Sequence, residues 1–158
     1  MKVKYILIFT VFLLVDQVGF AQNYKPAVKD VISPKTRYFS IQDVRLLDSP
    51  FLHAMNQNEQ WMKELDLDRL LSNFRKNANL KPKAEPYGSW ESMGIAGHTL
   101  GHLLTAMSQH YAATGDETFK AKIDYVVNEL DSCQMNFVNG FIGGIQGSEK
   151  RYYPFYGF

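Results

Sequence analysis

The sequence predicts an all-α fold in which antiparallel helical hairpins follow an extended N-terminal lead-in. Its 158 residues are 46% hydrophobic and 21% charged, which is the composition of a globular domain. Two long segments carry apolar residues at helical spacing, and only Gly115 and Asp116 separate them. Helices joined by so few residues pack as an antiparallel hairpin. We therefore expect one helical domain.

The charge balance and the cysteine content exclude several classes of protein. The formal net charge is +1, so neither nucleic acid nor anionic lipid is an expected partner. Cys133 is the only cysteine of the chain. An intramolecular disulfide and a zinc site with two or more thiolates from this chain are therefore excluded.

The first 21 residues have the features of a secretory signal peptide. Two lysines precede a largely apolar run over residues 5–15, and Gly19 and Ala21 occupy the small-residue positions of a cleavage site. The run is much shorter than the roughly 20 residues of a membrane-spanning helix, so an anchor is the disfavoured alternative. We expect cleavage after Ala21, a mature domain over residues 22–158, and a periplasmic or secreted location away from the membrane.

The lead-in over residues 22–40 is predicted to be extended, because Pro26 and Pro34 oppose a helix. Residues 41–46 alternate imperfectly between apolar and polar side chains. This alternation predicts one short strand that packs against the body of the domain.

Two helices are predicted after this strand. Ser49 followed by Pro50 is a favourable helix start, because the serine oxygen accepts a free amide hydrogen bond and proline at the first position loses none. The first helix is expected over residues 50–65 and the second over residues 67–74, ended by the polar stretch from Asn77 to Pro82.

Two longer helices form the predicted hairpin. The first covers roughly residues 97–113, and the second follows Gly115 and Asp116, which suit the left-handed end of one helix and the N-cap of the next. The apolar stripe of the first consists of Leu100, Leu103, Leu104, Met107 and Tyr111, opposite a polar stripe of His98, His102, Thr105 and Gln109. The apolar stripe of the second consists of Phe119, Ile123, Val126, Val127, Leu130, Cys133 and Phe137.

His98 and His102 share one face of the predicted helix, and their pairing has three interpretations. Such pairs bind zinc in metalloprotease helices, but Thr99 stands where those enzymes carry the glutamate that activates water. In the second interpretation the histidines are structural and are satisfied by backbone groups or solvent. In the third, the apolar stripe packs on a second layer and the histidines line an enclosed polar site.

Residues just before this helix favour the third interpretation. Trp90 offers a flat apolar surface for a sugar ring or a base, and Glu91 offers a carboxylate for hydroxyl groups. Gly94 and Gly97 permit close backbone approach or unusual dihedral angles. Each residue also has a structural alternative, since a tryptophan often packs in a core and an acid often complements the helix dipole.

A glycine-rich loop over residues 139–147 follows the second long helix. It lacks the lysine and the spacing of a phosphate-binding loop, so it supports nucleotide binding only weakly. Its Gln146 is a weaker candidate for contact with a sugar.

Several ordered motifs together resemble the beginning of the β-L-arabinofuranosidase-type glycoside hydrolases, families 127 and 146. The matching residues are Asp48-Ser49-Pro50-Phe51, Leu67-Asp68-Arg69-Leu70-Leu71 with Phe74-Arg75, Trp90-Glu91, Gly97-His98-Thr99-Leu100-Gly101-His102, Tyr111-Ala112-Ala113-Thr114-Gly115-Asp116, Cys133-Gln134, and Asn139-Gly140 with the Gly143-Gly144 turn. The resemblance covers residues 44–148. It implies an (α/α)6 barrel whose inner helices surround a sugar pocket, in a secreted enzyme that removes arabinose from plant glycans.

The resemblance also implies which catalytic groups to expect and where. The family uses a zinc-bound cysteine thiolate as nucleophile, together with further cysteines, a glutamate ligand and a separate acid/base glutamate. These residues are expected beyond Phe158, so this portion has no catalytic or metal residue of its own and is inactive alone. Cys133 matches a helix position of the family, and its place in the apolar stripe makes it a packing residue. The residues expected to contact arabinose are Trp90, Glu91, His98, His102 and Gln146.

The last residues of the chain also suggest that it is the N-terminal part of a longer enzyme. Residues 151–158 concentrate aromatic side chains, which normally need a partner layer. Two alternatives stay open. One is a secreted helical carbohydrate-binding module without catalysis, and the other is a helical-repeat fragment without a ligand.

Overall fold

The computed structural model of the chain describes residues 31–32, 35–36, 38–137 and 139–152. The chain divides into two units, residues 1–37 and 38–158, and the elements below all belong to the second. The predicted signal peptide, most of the lead-in and the aromatic residues after Tyr152 lie outside the described residues. Their assignments stay predictions.

The described residues form five α-helices and two short 3-10 helices, and they contain no strand. The helices are α1 (Pro50–Glu64), α2 (Leu67–Asn77), α3 (His98–Thr114), α4 (Glu117–Gln134) and α5 (Ser148–Tyr152), and the 3-10 helices are Ile41–Asp43 and Ser89–Ser92. The predicted all-α class is confirmed.

Side-chain caps fix the starts of the first two helices. Ser49 Oγ accepts a hydrogen bond from the Leu52 amide at 3.3 Å, as its position before Pro50 predicts. Asp66 Oδ1 accepts one from the Asp68 amide at 3.0 Å at the start of α2. Both predicted helices are therefore confirmed, the second three residues longer than residues 67–74.

The short strand predicted over residues 41–46 is wrong. Ser40 caps a 3-10 helix instead, because its carbonyl accepts from the Asp43 amide at 2.9 Å and its hydroxyl from the Gln42 amide at 3.3 Å. Arg45 Nη1 then donates to the Gln42 carbonyl at 2.7 Å. These local bonds use several backbone groups of the segment, and the described residues offer no neighbouring strand with which it pairs.

The α3–α4 hairpin is confirmed together with both of its connecting residues. Gly115 has a φ of 75° and donates its amide to the Tyr111 carbonyl at 2.7 Å. Asp116 Oδ1 then accepts from the Thr118 amide at 2.9 Å and starts α4. The chain therefore reverses within two residues, and α3 and α4 make the most extensive helix contact of the fold.

The core lies where the hairpin packs against α1 and α2. Its buried members are Met62, Leu67, Leu70, Leu71, Leu100, Leu103, Met107, Phe119 and Val126. The apolar stripe predicted for α3 is confirmed, since Leu100, Leu103 and Met107 are buried and Leu104 and Tyr111 pack, partly buried, against this core. In α4 the stripe is narrower than predicted, because Val127 is half-exposed while Phe119, Val126 and Cys133, spaced by seven residues, are buried. Val127 lies about 100° around the helix from Val126 and so leaves the packed face.

A cluster of charged and polar groups fastens α2 and the following loop to α4. Arg75 Nη1 lies 2.6 Å from Glu129 Oε2, and Lys83 Nζ from the loop lies 2.7 Å from Glu129 Oε1. Tyr125 donates its hydroxyl to Asp68 Oδ1. The hydrogen bond to Glu129 raises the pKa of Lys83. The cluster thereby holds the loop that leads into the second 3-10 helix.

Helices long and apolar enough to cross a bilayer are absent from the part of the chain that the structure describes.

Candidate functional site

The second 3-10 helix, Ser89–Ser92, presents the two candidate residues that precede α3. Ser89 adopts a φ of 58°, an unusual value for a residue with a side chain. Trp90 is 59% exposed, whereas Glu91 is only 5% exposed. Asn73 of α2 donates its side-chain amide to the Glu91 carbonyl at 2.8 Å, which fixes this turn against the helical core.

The Glu91 carboxylate caps the N-terminus of α3. Its Oε2 accepts from the Gly97 amide at 2.8 Å and its Oε1 from the Thr99 amide at 3.3 Å. Gly97 itself has no side chain with which to cap the helix and takes a φ of 99°. A negative charge at a helix N-terminus is stabilised by the free amides and the helix dipole. Glu91 therefore acts as a cap that is remote in sequence.

Trp90, His98 and His102 form a row of rings along the start of α3. The Trp90 and His98 ring centroids are 5.3 Å apart, with an interplanar angle of 40°. The His98 and His102 centroids are 5.7 Å apart, and those rings are nearly perpendicular. The His98 side chain is 33% exposed, and His102 is exposed. We call these three residues the ring row.

An apolar hollow of about 240 Å³ lies beside Trp90. Its lining consists of Leu65, Leu70, Tyr87, Gly88, Ser89, Trp90, Glu91 and Thr99. Tyr87 is held in place from two sides, since its hydroxyl accepts from the Asp66 amide at 3.0 Å and the Arg69 guanidinium lies 3.9 Å from its ring centre. The wall of the hollow is thus tied to the start of α2.

The histidine face of α3 is more open than the sequence led us to expect. His102, Thr105 and Gln109 are exposed, and neither histidine lines the hollow. The leucines on the opposite face do pack on neighbouring helices, as predicted. The described helices therefore supply one wall of a site and do not enclose it.

Gln146 is not part of the ring row. It lines a separate polar hollow of about 330 Å³, together with Asn79 and Glu149 among other residues. Its side-chain amide donates to the Asn73 carbonyl at 3.1 Å, and Asn73 in turn binds the turn of Glu91. The structure thus brings together four of the five candidate residues and leaves Gln146 apart. The four are Trp90, Glu91, His98 and His102.

The glycine-rich loop packs closely against the start of α3. A Cβ atom on Gly144 would lie 2.8 Å from the Ala96 carbonyl oxygen, and one on Gly97 would lie 2.7 Å from the Phe74 ring. The φ angles of Gly94 and Gly97, 88° and 99°, fit the expectation that these glycines adopt unusual dihedral angles. The glycines of the loop therefore allow two backbone segments to approach.

Sequence reasoning missed two asparagines of α2 that assemble this region. Asn73 binds the Glu91 turn, and Asn77 donates to the Gly143 carbonyl at 3.0 Å and accepts from the Gly147 amide at 2.9 Å. An asparagine within a helix is usually a surface residue, so its identity alone gave no signal. Their spacing of four residues on one helical face is the single hint that they act together.

The residues described here do not fit a zinc site of the kind that the resemblance implies. Cys133 is buried, as predicted for a packing residue, and burial raises the pKa of its thiol, which opposes the thiolate that zinc requires. Across residues 38–137 and 139–152, no three histidine, cysteine, aspartate or glutamate side chains are grouped to hold a metal. No step of chemistry is therefore assigned to zinc at these residues.

Comparison with known families identifies the domain. The model of the β-L-arabinofuranosidase GH127 catalytic domain matches residues 43–154, which is more than two thirds of the chain. The search for similar curated proteins found no match to this chain. The match includes the ring row, the Glu91 cap and all of the confirmed hairpin, and this catalytic domain is an (α/α)6 barrel. The chain therefore belongs to the GH127 β-L-arabinofuranosidase family of glycoside hydrolases, and its helical hairpins are part of that barrel.

Proposed function

We propose that the chain supplies the opening helices of a secreted glycoside hydrolase that releases arabinose from β-L-arabinofuranosides of plant glycans. Membership of the family supports hydrolysis of a carbohydrate. The observation that carries the proposal for this portion is the ring row beside the apolar hollow. In this row the exposed indole comes from the 3-10 helix Ser89–Ser92, and the two imidazoles come from the first turns of α3.

This arrangement suits the chemistry of a sugar. A furanose has apolar C–H faces and a rim of hydroxyl groups, so it needs a flat apolar surface and directed polar groups together. Trp90 supplies the first, and His98 and His102 supply groups that accept or donate hydrogen bonds. Because both Glu91 oxygens accept backbone amides, Glu91 supports the row and has only its remaining lone pairs for a ligand.

Bond cleavage is proposed to depend on a later part of the sequence. The residues described here bind and orient the sugar, while the cysteine nucleophile, its zinc ligands and the acid/base glutamate implied by the resemblance lie beyond Phe158. On this proposal the chain alone does not hydrolyse an arabinofuranoside. The signal peptide is proposed to direct export and to be cleaved after Ala21, so N-terminal sequencing of the exported protein would begin at Gln22.

The test uses the complete gene product that contains this chain. We expect it to hydrolyse p-nitrophenyl β-L-arabinofuranoside and to leave the α-anomer uncleaved. Trp90→Ala should raise KM for the β-anomer, because the stacking surface is lost. Trp61→Ala is the matched control, since Trp61 is 54% exposed on α1 and outside the ring row. Unchanged KM in Trp90→Ala, or the same change in both variants, would contradict a role for Trp90 in the site.

The alternative function, a carbohydrate-binding module without catalysis, predicts a different result in the same experiment. The exposure of Trp90 favours it, since an exposed tryptophan is also the usual platform of a carbohydrate-binding module. A complete product that binds the β-arabinofuranoside without hydrolysing it, in a Trp90-dependent way, would favour the module over the enzyme.

A further inference from the structure

We propose that Glu91 is a positioning residue that fixes the tautomer of His98. On this proposal the carboxylate holds the ring with its hydrogen on Nδ1, so that Nε2 is a hydrogen-bond acceptor within the ring row. The contact that sets the tautomer lies within this chain. The use of this tautomer, which is to accept a hydrogen bond from a sugar hydroxyl, rests on the function proposed above.

The contact that carries the proposal is between one carboxylate oxygen and one ring nitrogen. His98 Nδ1 is buried and has no hydrogen-bond partner among the described residues. Glu91 Oε1 lies 3.6 Å from it, and the Glu91 side chain is only 4% exposed. The separation is a few tenths of an ångström longer than a hydrogen bond, so the proposal requires the two atoms to come closer by about that amount.

The chemistry of the two groups selects one tautomer. A neutral imidazole carries one N–H donor and one acceptor nitrogen, and an ionised carboxylate only accepts. If Nδ1 were the acceptor, two lone pairs would face each other in a buried place. With hydrogen on Nδ1 the same contact is attractive, and the acceptor is then Nε2. The partner of one ring nitrogen thus determines the state of the other.

The carboxylate is itself held rigidly. Oε2 accepts from the Gly97 amide and Oε1 from the Thr99 amide, and the Glu91 backbone carbonyl accepts from Asn73. These bonds come from the start of α3 and from α2, so the oxygen facing His98 does not depend on a mobile side chain. His102 lies four residues further along α3, is exposed, and has no carboxylate contact among the ion pairs described. It therefore serves as an internal reference.

The test is a long-range proton–nitrogen correlation spectrum of the chain labelled with ¹⁵N-histidine, recorded where the histidines are neutral. His98→Ala and His102→Ala assign the two rings. We expect the Nε2 signal of His98 at the shift of a proton-free nitrogen and its Nδ1 signal at that of a protonated one. His102 is expected to show the tautomer mixture of a solvent-exposed histidine.

Glu91→Gln provides the perturbation. We expect its carbonyl oxygen to keep the shorter bond from the Gly97 amide and to lose the longer bond from the Thr99 amide, so that its NH₂ group faces His98 Nδ1 and donates to it. The His98 tautomer should then reverse, while His102 stays unchanged. Glu64→Gln, an exposed carboxylate on α1, is the matched control and should leave both rings unchanged.

Two results would overturn the proposal: hydrogen on Nε2 of His98 in the unaltered chain, or an unchanged His98 tautomer in a folded Glu91→Gln variant. If that variant does not fold, the comparison of His98 with His102 in the unaltered chain decides the question. Failure of the proposed function would instead appear as absent hydrolysis by the complete gene product, with the His98 tautomer as expected.

Discussion

Replacing Glu129 by alanine should destabilise the domain strongly, because it leaves a largely buried arginine without its partner. Arg75 Nη1 lies 2.6 Å from Glu129 Oε2, and the two side chains are 15% and 14% exposed. Removing one partner of a fully buried ion pair costs about 3–5 kcal/mol, most of it from the charge that is left behind. Since this pair keeps some contact with solvent, we expect a loss of about 3 kcal/mol in the free energy of unfolding.

The measurement is urea unfolding of the chain at pH 7, followed by circular dichroism at 222 nm. The control is Asp124→Ala on the same helix, which breaks the pair of Asp124 with Lys120. That pair has the same 2.6 Å separation, but both of its side chains are about half-exposed. Solvent screens such a pair, so no measurable change is expected.

A double variant separates the charge effect from the loss of packing. Replacing Arg75 and Glu129 together by methionine removes both charges and keeps most of the buried volume. This variant should be more stable than Glu129→Ala alone, as is found when buried ion pairs are replaced by apolar residues. A loss below about 1 kcal/mol in Glu129→Ala, or an equal loss in Asp124→Ala, would refute the reasoning from burial.

Three further predictions concern the backbone and the pH dependence of stability. Ser89→Gly should stabilise the domain by up to about 1 kcal/mol in urea unfolding, because glycine adopts a φ of 58° without strain; a clear loss would show that the serine side chain is needed. Gly97→Ala should lower the melting temperature, since a Cβ there lies 2.7 Å from the Phe74 ring and φ is 99°; an unchanged melting temperature would contradict this. Hydrogen bonding to Lys63 lowers the pKa of Asp116 from 3.8 to about 2. The contribution of ionised Asp116 to the free energy of unfolding is therefore complete above the ordinary pKa of 3.8 and is lost as the pH falls towards 2. In Asp116→Asn, the loss of stability on acidification from pH 4 to 2 should therefore be smaller, and an unchanged acid profile would exclude this contribution.

The helices were predictable because the information that defines them is local. Ser49, Gly115 and Asp116 act on amides or carbonyls within a few residues, so their identity and position were enough to place the helix ends. The prediction of a strand over residues 41–46 was wrong because a strand depends on a partner that is distant in sequence. A strand needs a neighbouring strand, and an imperfect alternation of side chains gives no information about one.

The candidate site was predictable only in part. The spacing of His98 and His102 placed them on one helical face, and Trp90, a candidate chosen from its residue type, lies beside His98 in the structure. Glu91 caps α3 by accepting from the Gly97 amide, which is six residues further along the chain. The turn between Glu91 and Gly97 also brings the Glu91 carboxylate against His98. Asn73 reaches Glu91 from another helix, a contact that no local pattern in a single sequence reveals.

Gly97 and Gly144 lie close together, and these two positions should tolerate substitution less well than the ring row does. A side chain added at Gly144 would collide with the backbone of Ala96, and one added at Gly97 would collide with the Phe74 ring and would be strained at a φ of 99°. The His98 and His102 rings extend from this helix, and Trp90 packs against His98 from the preceding 3-10 helix. On the function proposed above, directed evolution of ligand preference should therefore vary these three positions and keep both glycines unchanged, because exchanges at the glycines displace the start of α3 against the loop.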